Sequence, residues 1–401
     1  MKTFKSSVDL QNAIILTLAS ICMITSCSDE SPPQSPVVIT SISPISGPKT
    51  TVVTIIGSGF SANAAENVVT LNDMGCPVIS ASTTELKVTI PAKAGSGKLV
   101  VTVAGLTGET PKFTYIYSQA TVTTLAGTTQ GDGEKFNGPR GIAIDKDGTV
   151  YVSDVLNYKV KKVTPSGVVS TFAGSTKGDG DKFNGLEGIA VDEDGNVYVA
   201  DYFNDKIKKI TPSGVVSTFA GSTEGDGEKF NGPAGIALDN DGNLYVADYG
   251  NNKIKKITPS GVVSTLAGSV PGDGENFYGP AGIALDKEGN IYVADLFNNK
   301  IKKVTPSGAV STIAGSTAGD GELFMNPSGV AVNQDGDVYV ADWANHKIKK
   351  ITPLGIVSTV VGSTIGDGDK FNYPWGIVVD KDNTLYVTDE LNNKIKMVTQ
   401  E

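Results

Sequence analysis

Short apolar runs separated by glycine-rich turns follow one another along the C-terminal two thirds of the chain. Each run is rich in Val, Ile, Leu, Phe and Tyr, which is typical of a β-strand. Four runs form a set: Val-Val-Ser-Thr-Phe-Ala-Gly, Gly-Ile-Ala-Leu-Asp, Asn-Leu-Tyr-Val-Ala-Asp and Lys-Ile-Lys-Lys-Ile-Thr-Pro. The set recurs every 47 residues, and its marker triplet Gly-Asp-Gly begins at Gly131, Gly178, Gly225, Gly272, Gly319 and Gly366.

This repeat predicts a β-propeller, because one four-stranded sheet buries both its faces only when similar sheets stack around an axis. Residues 122–127 have the pattern of the run that ends a set, yet they precede the first complete set. The last set lacks that run and stops near Val398. We therefore expect the N-terminal run to complete the sixth sheet, so that residues 118–401 form a closed six-bladed ring without an open edge.

The repeat also resembles a known family. Residues 235–257 read Gly-Ile-Ala-Leu-Asp-Asn-Asp-Gly-Asn-Leu-Tyr-Val-Ala-Asp-Tyr-Gly-Asn-Asn-Lys-Ile-Lys-Lys-Ile, which is similar to the NHL repeat, and the match recurs in all six sets. The resemblance implies an NHL-type propeller. It does not choose a function, because the family includes enzymes, RNA binders, protein-binding ectodomains and bacterial surface proteins.

Residues 37–117 have a second all-β pattern. Apolar runs lie between Gly and Pro breaks at residues 53–56, 86–90 and 99–103. At this length two packed sheets are the usual arrangement. The segments at residues 42–48 and 54–60 resemble those of IPT/TIG domains, which implies an immunoglobulin-like β-sandwich that acts as a spacer. That family usually has a glycine near Thr50 or Thr51, so the first turn is expected to differ here.

Residues 1–26 predict a lipoprotein signal peptide. Lys2 and Lys5 precede an apolar core at residues 13–24, which is too short to span a bilayer. The sequence Ile-Thr-Ser-Cys that ends at Cys27 resembles a bacterial lipobox. The resemblance implies that Cys27 carries the lipid that holds the protein on a membrane. The alternative is ordinary secretion, with a cysteine at this position by chance.

Residues 27–36 are expected to form an extended, lipid-anchored tether, since they are rich in Ser and Pro. The segment Ser28-Asp29-Glu30 resembles the acidic export tag of Bacteroidetes lipoproteins that face the cell exterior. The sequence therefore predicts an outer-membrane lipoprotein exposed at the cell surface, and it leaves a periplasmic orientation open.

The charge of the chain disfavours a nucleic acid partner. With 33 Lys and Arg against 43 Asp and Glu, the net charge is −10 at pH 7, so a phosphate backbone is not attracted. Membrane contact is expected only through the anchor at Cys27. Cys22 leaves with the signal, and Cys76 then has no partner for a disulfide.

Polar residues present in every repeat are interpreted as structural. Asp-x-Asp-Gly-Asn segments, such as residues 192–196, suit hairpin turns better than calcium sites, because no bidentate glutamate follows at the required distance. The Lys-x-Lys-Lys runs, such as residues 206–209, are interpreted as a solvated rim. An aspartate followed three residues later by asparagine is expected to tie a turn. This aspartate is Asp154, Asp201, Asp248, Asp295, Asp342 and Asp389.

The aspartates of the Gly-Asp-Gly triplets would form a sixfold ring: Asp132, Asp179, Asp226, Asp273, Asp320 and Asp367. We favour capping of their own loop amides, and an ion bound by the ring is the alternative. No metal site, cofactor or catalytic residue is predicted, because a single histidine, His346, cannot supply the ligands of a metal-dependent lyase or hydrolase. Carboxylate-only catalysis by Glu187 with ring aspartates stays open.

Positions that vary between otherwise similar repeats are the candidates for function. The residue before the inner-strand glycine is, in blade order, Arg140, Glu187, Ala234, Ala281, Ser328 and Trp375. Because blade six closes onto blade one, Trp375, Arg140 and Glu187 are expected to be neighbours at the mouth of the central channel. The small residues on the opposite arc would leave a half-open pocket.

Further aromatic residues fall in the same sector of the ring. Trp343 and His346 belong to blade five, and Tyr373 precedes the inner strand of blade six. Aromatic plates beside polar groups suit a sugar ring, which stacks by one face and hydrogen-bonds through its hydroxyls. These three residues, with Trp375, Arg140 and Glu187, are the predicted ligand-binding site. The alternative is that the tryptophans plug the channel and that the two charges only pair with each other.

The sequence as a whole predicts a cell-envelope lipoprotein with a non-catalytic binding module. The first expected partner is a glycan or glycopeptide on the propeller face. One alternative is a protein–protein interaction scaffold in an envelope assembly, and another is a carboxylate-based lyase or hydrolase.

Overall fold

The structure, a computed structural model, describes residues 36–92, 94–115, 120–127, 135–175, 177–221, 229–268, 276–315, 323–362 and 370–400. The described chain is built of β-strands and single turns of 3₁₀-helix, as predicted. It forms two compact units, divided between Ile116 and Tyr117. No helix among the described residues is both long enough and apolar enough to cross a membrane.

The N-terminal unit is a sandwich of two sheets. Its strands are β1 (Val38–Ser43), β2 (Ser46–Gly47), β3 (Val52–Ser58), β4 (Asn67–Leu71), β5 (Met74–Gly75), β6 (Val78–Ala81), β7 (Glu85–Thr89), β8 (Gly97–Val103) and β9 (Leu106–Tyr115), with a 3₁₀ turn at Ala64–Glu66. The sheet orders are β1-β3-β7-β6 and β2-β9-β8-β4-β5. Alternate residues such as Val53 and Ile55 of β3 point into the core and are fully buried. The predicted immunoglobulin-like sandwich is confirmed.

The C-terminal unit is a six-bladed propeller, each blade a four-stranded antiparallel sheet. Blades 1 to 3 are β11 (Pro139–Ile144), β12 (Val150–Asp154), β13 (Lys159–Val163), β14 (Val169–Ala173); β15 (Leu186–Val191), β16 (Val197–Asp201), β17 (Lys206–Ile210), β18 (Val216–Ala220); and β19 (Pro233–Leu238), β20 (Leu244–Asp248), β21 (Lys253–Ile257), β22 (Val263–Ala267). Blades 4 and 5 are β23 (Pro280–Leu285), β24 (Ile291–Asp295), β25 (Lys300–Val304), β26 (Val310–Ala314); and β27 (Pro327–Val332), β28 (Val338–Asp342), β29 (Lys347–Ile351), β30 (Val357–Val361).

Blade 6 joins the two ends of this unit. It consists of β31 (Pro374–Val379), β32 (Leu385–Asp389), β33 (Lys394–Thr399) and the N-terminal β10 (Thr121–Ala126). Strand β10 pairs antiparallel with β33, as the phase of the repeat predicted. Across the junction from blade 6 to blade 1, Oδ1 of Asn393 accepts the N–H of Gly138 at 2.8 Å. Asn252 makes the same contact with Gly279 between blades 3 and 4, also at 2.8 Å. The ring is closed.

The six inner strands approach one another closely around the central channel. Each carries a glycine at the point of closest approach: Gly141, Gly188, Gly235, Gly282, Gly329 and Gly376. A Cβ atom on Gly329 would lie 2.5 Å from the carbonyl oxygen of Trp375 in the next blade. Glycine is therefore required here by the space between neighbouring backbones. The residue that precedes each of these glycines marks the channel mouth.

The second and third strands of every blade are joined by a single 3₁₀ turn. These turns are Val155–Asn157, Tyr202–Asn204, Tyr249–Asn251, Leu296–Asn298, Trp343–Asn345 and Glu390–Asn392. The fully buried Asp201 shows how the preceding aspartate ties such a turn. Its Oδ2 accepts the side-chain amide of Asn204 at 2.7 Å, and its Oδ1 accepts the backbone N–H of Asn184 at 2.6 Å. The aspartates thus fix the turn and the loop that enters the inner strand.

The interpretation of the lysine runs as a solvated rim was wrong for one lysine in each run. Lys208 is fully buried, and its ammonium lies 2.9 Å from Oδ2 of Asp201. It also donates to the backbone carbonyl of Lys182 and lies 5.4 Å from the ring centroid of Phe183. The equivalent buried lysines are Lys161, Lys255, Lys302, Lys349 and Lys396. Neighbouring blades cover both faces of each blade, so this lysine is shielded from water. Its charge is therefore neutralised by a buried carboxylate.

The Asp-x-Asp-Gly-Asn segments form hairpin turns, as interpreted. Oδ1 of Asp192 accepts the backbone N–H of Asn196 at 2.7 Å, and Oδ2 accepts its side-chain amide at 2.8 Å. Gly195 has a φ of 79°, in the left-handed region that favours glycine. The carboxylate oxygens are thus engaged by the turn itself.

Candidate ligand-binding site at the channel mouth

The structure brings Arg140, Glu187 and Trp375 together at the mouth of the channel. Nη1 of Arg140 donates to Oε1 of Glu187 in the next blade. The guanidinium carbon of Arg140 lies 4.3 Å from the ring centroid of Trp375 in the preceding blade, a cation–π contact. The three residues are consecutive around the ring, so blade closure creates a site that no single repeat contains.

A fourth residue, Glu390, joins this group and was not among the predicted site residues. Its Oε1 accepts Nε–H of Arg140 at 2.9 Å, and its Oε2 accepts the indole N–H of Trp343 at 3.0 Å. Glu390 is the first residue of the 3₁₀ turn in blade 6 and is only 7% exposed. A signal was present in the sequence, because this position is Val, Tyr, Tyr, Leu and Trp in the other five blades.

The charged group at the mouth contains two carboxylates and one guanidinium, and both carboxylates are buried. Burial raises the pKa of Glu187 above its usual value, although the nearby Arg140 acts to lower it. Burial also acts to lower the pKa of Arg140, but the two carboxylates outweigh this effect and raise that pKa. Among the described residues Nη2 of Arg140 has no hydrogen-bond partner, so it is available to an incoming acceptor.

The predicted aromatic residues form one cluster beside the charges. The ring centroids of Trp343 and Trp375 lie 5.9 Å apart and the rings are almost perpendicular, at 88°. The Trp343 and Tyr373 centroids lie 4.6 Å apart, and those of His346 and Tyr373 lie 4.4 Å apart. All four side chains are partly exposed. The cluster therefore presents aromatic surface to solvent while its members support one another.

His346 has a structural role that its position explains. Its Nδ1 accepts the backbone N–H of Tyr373 at 3.1 Å, the contact that Asn252 and Asn393 make at other blade junctions. His346 is the left-handed residue that ends a 3₁₀ turn, with a φ of 55°. Burial lowers its pKa below the usual value, while Asp389 acts to raise it. With Nδ1 engaged as an acceptor, the ring is neutral and carries its proton on Nε2.

The side chains on the opposite arc of the mouth are small, as predicted. Ala234, Ala281 and Ser328 are buried, and Oγ of Ser328 donates to the carbonyl of Trp375 at 2.9 Å.

A second group of aromatic rings, absent from the predicted site, belongs to the turns of blades 2 to 4. Neighbouring centroids in the series Tyr202, Tyr249 and Phe297 are each 5.9 Å apart.

At this mouth the channel is too narrow for a sugar. Its cavity at this mouth is about 70 Å³ and is lined by the residues around the inner-strand glycines, including Arg140, Glu187 and Trp375. A water molecule accounts for about 30 Å³ in the liquid, so the cavity suits two or three waters. At this end of the propeller a larger ligand would rest on the mouth, against the aromatic cluster and the charged group.

A metal ion finds no ready site in the described parts of the chain. No group of three or more His, Cys, Asp or Glu side chains is arranged there to hold one. Of the ring aspartates, only Asp179 is described, and Asp132, Asp226, Asp273, Asp320 and Asp367 lie outside the described residues. Asp179 pairs with Lys206 at 2.5 Å, and this contact, with that of Lys208 and the backbone N–H of Gly180, lowers its pKa to about 2.

These observations define a class: a six-bladed β-propeller with a polar and aromatic channel mouth, in one chain with an immunoglobulin-like domain. The propeller belongs to the Virginiamycin B lyase family, whose sequence profile matches residues 129–401. The IPT/TIG domain profile matches residues 36–115, which confirms that resemblance. No curated protein sequence matches the chain.

Several solved structures share the fold. A protein of unknown function from Bacteroides thetaiotaomicron has 22% sequence identity and a TM-score of 0.60, with 92% of this chain and 99% of that chain covered. An auxiliary nutrient binding protein from the same organism has 18% identity and a TM-score of 0.56, with the same coverage. A streptogramin B lyase has 18% identity and a TM-score of 0.50, with 70% of this chain and 98% of that chain covered. At these identities the likeness is one of fold.

Proposed function

We propose that this protein is a non-catalytic binding module of the cell envelope, and that the mouth of its propeller captures a glycan. One observation carries the proposal: Trp343 and Trp375 form a partly exposed aromatic cluster beside Arg140, whose Nη2 has no partner among the described residues. A sugar stacked on the aromatic surface would place hydroxyls beside this donor and beside the carboxylates. The channel is narrow at this mouth, which keeps the ligand at the surface, where one unit of a longer chain can bind.

The comparisons support a binding role for this arrangement of domains. The auxiliary nutrient binding protein from Bacteroides thetaiotaomicron aligns with 92% of the chain, which includes residues from both units. Surface capture of a nutrient glycan is a function of that kind.

The name of the family raises the enzyme alternative, and the chemistry of the mouth favours binding over it. His346 already accepts a backbone N–H through Nδ1, so it is not positioned by a carboxylate as a general base. Oε1 of Glu187 and Oε1 of Glu390 both accept from Arg140, and Oε2 of Glu390 accepts from Trp343, so these oxygens are engaged within the protein. A carboxylate-based lyase or hydrolase would need one of these groups released.

The proposal includes an anchor at the cell surface. Lipid on Cys27 and a tether at residues 27–36 would hold the sandwich and the propeller outside the outer membrane. Labelling of the protein with a palmitate analogue in a Bacteroidetes host, and its loss in Cys27→Ala, tests the lipid. Digestion of the protein by protease added to intact cells tests the orientation, and full protection would place it in the periplasm instead.

Binding is tested with a glycan array on the mature protein, followed by calorimetric titration of any hit. We expect Trp375→Ala and Trp343→Ala each to weaken binding by at least tenfold, the equivalent of about 1.4 kcal/mol. Leu354→Ala is the matched control, because Leu354 is an 87% exposed apolar residue in the turn between β29 and β30, at the other end of the blade. An array without any bound saccharide would contradict the proposal.

A protein partner is the second candidate function, and one observation favours it. Large apolar side chains are exposed on the 3₁₀ turns and on the loops that enter the inner strands: Leu156, Phe203, Tyr278, Phe297, Met325 and Leu391. Exposed apolar residues that share one end of a propeller are typical of a docking surface. Absence of glycan binding, together with an envelope protein that is cross-linked to the wild type through surface lysines and not to Phe203→Ser, would support this candidate.

A further inference from the structure

A notch opens beside the charged group, at the junction where blade 6 closes onto blade 1. Its volume is about 160 Å³. The walls include the apolar side chains of Leu156 and Leu391, and Arg140, Glu390 and Asn393 complete the lining. Pockets for whole drug-sized ligands are usually about 300–1,000 Å³, so the notch suits one substituent of a ligand that rests on the mouth.

Phenylalanine rings occupy the corresponding space at two of the other junctions. A Cβ atom on Gly185, between blades 1 and 2, would lie 2.5 Å from the ring of Phe203. One on Gly279, between blades 3 and 4, would lie 2.7 Å from the ring of Phe297. At the equivalent Gly138 the nearest side chain is Leu156, at 3.4 Å. Residues 156, 203 and 297 hold the same position in their blades, so the exchange of Phe for Leu opens the notch.

The polar lining of the notch offers donors and lacks a free carboxylate acceptor. Both carboxylate oxygens of Glu390 are engaged, by Arg140 and by Trp343. Nη2 of Arg140 and Nδ2 of Asn393 make no hydrogen bond to any described residue, whereas Oδ1 of Asn393 is held by Gly138. The substituent must therefore bring an acceptor. Two carboxylates against one guanidinium leave a net negative charge, so an acceptor without charge is favoured over a carboxylate.

We propose that the notch between blades 6 and 1 recognises the N-acyl group of an amino sugar. The acyl carbonyl accepts from Arg140 or Asn393, and the methyl group contacts Leu156 and Leu391 while the sugar ring rests against Trp375. This inference rests on the proposed function and specifies it: the glycan carries N-acetylhexosamine units. The exposed side-chain amide of Asn137, which also lines the notch, completes the hydrogen bonding of the acyl N–H.

The test compares two oligosaccharides with the same β-1,4 backbone, chitotetraose and cellotetraose, by calorimetric titration of the mature protein. They differ in an acetamido group against a hydroxyl at each sugar. We expect chitotetraose to bind at least tenfold more tightly, the discrimination that a fitted apolar contact and its hydrogen bond supply.

Leu156→Phe fills the notch with the side chain that blades 2 and 4 carry at the same position. It should reduce the preference to less than threefold, because chitotetraose loses the contact of its acyl group. Phe203→Leu, the reverse exchange in blade 2, is the matched control and should keep the full preference. Equal affinity of the wild type for both sugars, or a preference that survives Leu156→Phe, overturns the acyl notch while glycan capture stands. Absence of any saccharide binding overturns both.

Discussion

The indole nitrogen of Trp343 donates to Glu390 at 3.0 Å, although the two residues are 47 positions apart in the sequence. They occupy the same position in blades 5 and 6, so this hydrogen bond joins the 3₁₀ turns of two consecutive blades. Glu390 then accepts from Arg140, and Arg140 donates to Glu187. A chain of polar contacts thus crosses blades 5, 6, 1 and 2 and passes over the closure of the ring. The guanidinium of Arg140 is the only cation in this chain of contacts.

Replacement of Arg140 by Met should destabilise the folded protein by about 2–3 kcal/mol, somewhat less than the loss of one partner from a fully buried pair, because the side chain is 30% exposed. The change leaves two buried carboxylates without a cation. Loss of Arg140 also removes the interaction that lowers the pKa of Glu187, so this pKa rises further. The measurement is the free energy of unfolding in urea.

The pH dependence of this loss has a definite sign. Burial already places the pKa of folded Glu187 above the ordinary 4.5, so the folded state binds more protons than the unfolded chain above that pH. Stability therefore falls as the pH rises through the raised pKa, and more steeply in Arg140→Met than in the wild type. Equal stability losses at about pH 5 and about pH 8 would show that the carboxylates are not the cause.

The contact that His346 makes between blades 5 and 6 should become less stable in acid. The pKa of folded His346 lies below the ordinary 6.5, so below that pH the unfolded chain binds more protons and stability is lost as the pH falls. His346→Asn should fold with a stability within about 1 kcal/mol of the wild type, because Asn393 makes the same backbone contact at another junction.

Urea unfolding of His346→Asn between about pH 5 and about pH 7 should show a smaller acid-dependent loss than the wild type. The same variant separates the structural role of the histidine from its predicted place in the ligand site. If glycan affinity falls while stability is kept, the imidazole contacts the ligand through Nε2.

The closed propeller could be predicted because the same pattern of apolar runs and turns recurs in six repeats. The run at residues 122–127 has the pattern of β14 and β18, and that pattern alone identifies its partner as β33. The neighbourhood of Trp375, Arg140 and Glu187 followed from closure, since equivalent positions of consecutive blades meet at the mouth. These inferences need only the length of the repeat and the order of the blades, and both can be read from the sequence.

Glu390 and Lys208 show what period and order leave out. Glu390 is on a 3₁₀ turn, where the direction of a side chain depends on local backbone geometry that the repeat pattern does not specify. Strand alternation places Lys206 and Lys208 on one face, but Ile207 and Lys208 are both buried, and the pairing shifts by one residue between them. The buried lysine is stable there because Asp201 lies on the adjacent strand.

Two neighbouring lysines should therefore respond very differently to the same change. Lys208→Met leaves Asp201 buried without its cation and should cost about 3–5 kcal/mol, whereas Lys209→Met, at the partly exposed next position, should cost about 0.5 kcal/mol or less. Urea unfolding of both variants measures the difference. Adding Asp201→Asn to Lys208→Met should recover part of the loss. Similar effects of the two single changes would mean that Lys208 is solvated after all.

The first turn of the sandwich offers a stabilising change. Thr50 has a φ of 65°, in the left-handed region, where a β-branched residue is strained by its own side chain. Its N–H donates to the carbonyl of Ile90 at 2.8 Å, which holds the backbone in this conformation. Thr50→Gly should therefore stabilise the N-terminal unit by about 0.5–1 kcal/mol, because removal of the strain exceeds the added entropy of glycine in the unfolded chain.

Thr51→Gly is the matched control for this change. Oγ1 of Thr51 donates to the carbonyl of Pro48 at 2.7 Å, so its loss should destabilise the same turn. Both tryptophans lie in the propeller, and calorimetry with parallel tryptophan fluorescence can therefore assign each unfolding transition to a unit. Thr50→Gly should raise the midpoint temperature of the transition during which the tryptophan fluorescence stays unchanged. If the midpoint temperature of this transition falls in both variants, the side chain of Thr50 contributes more stability than its backbone strain costs.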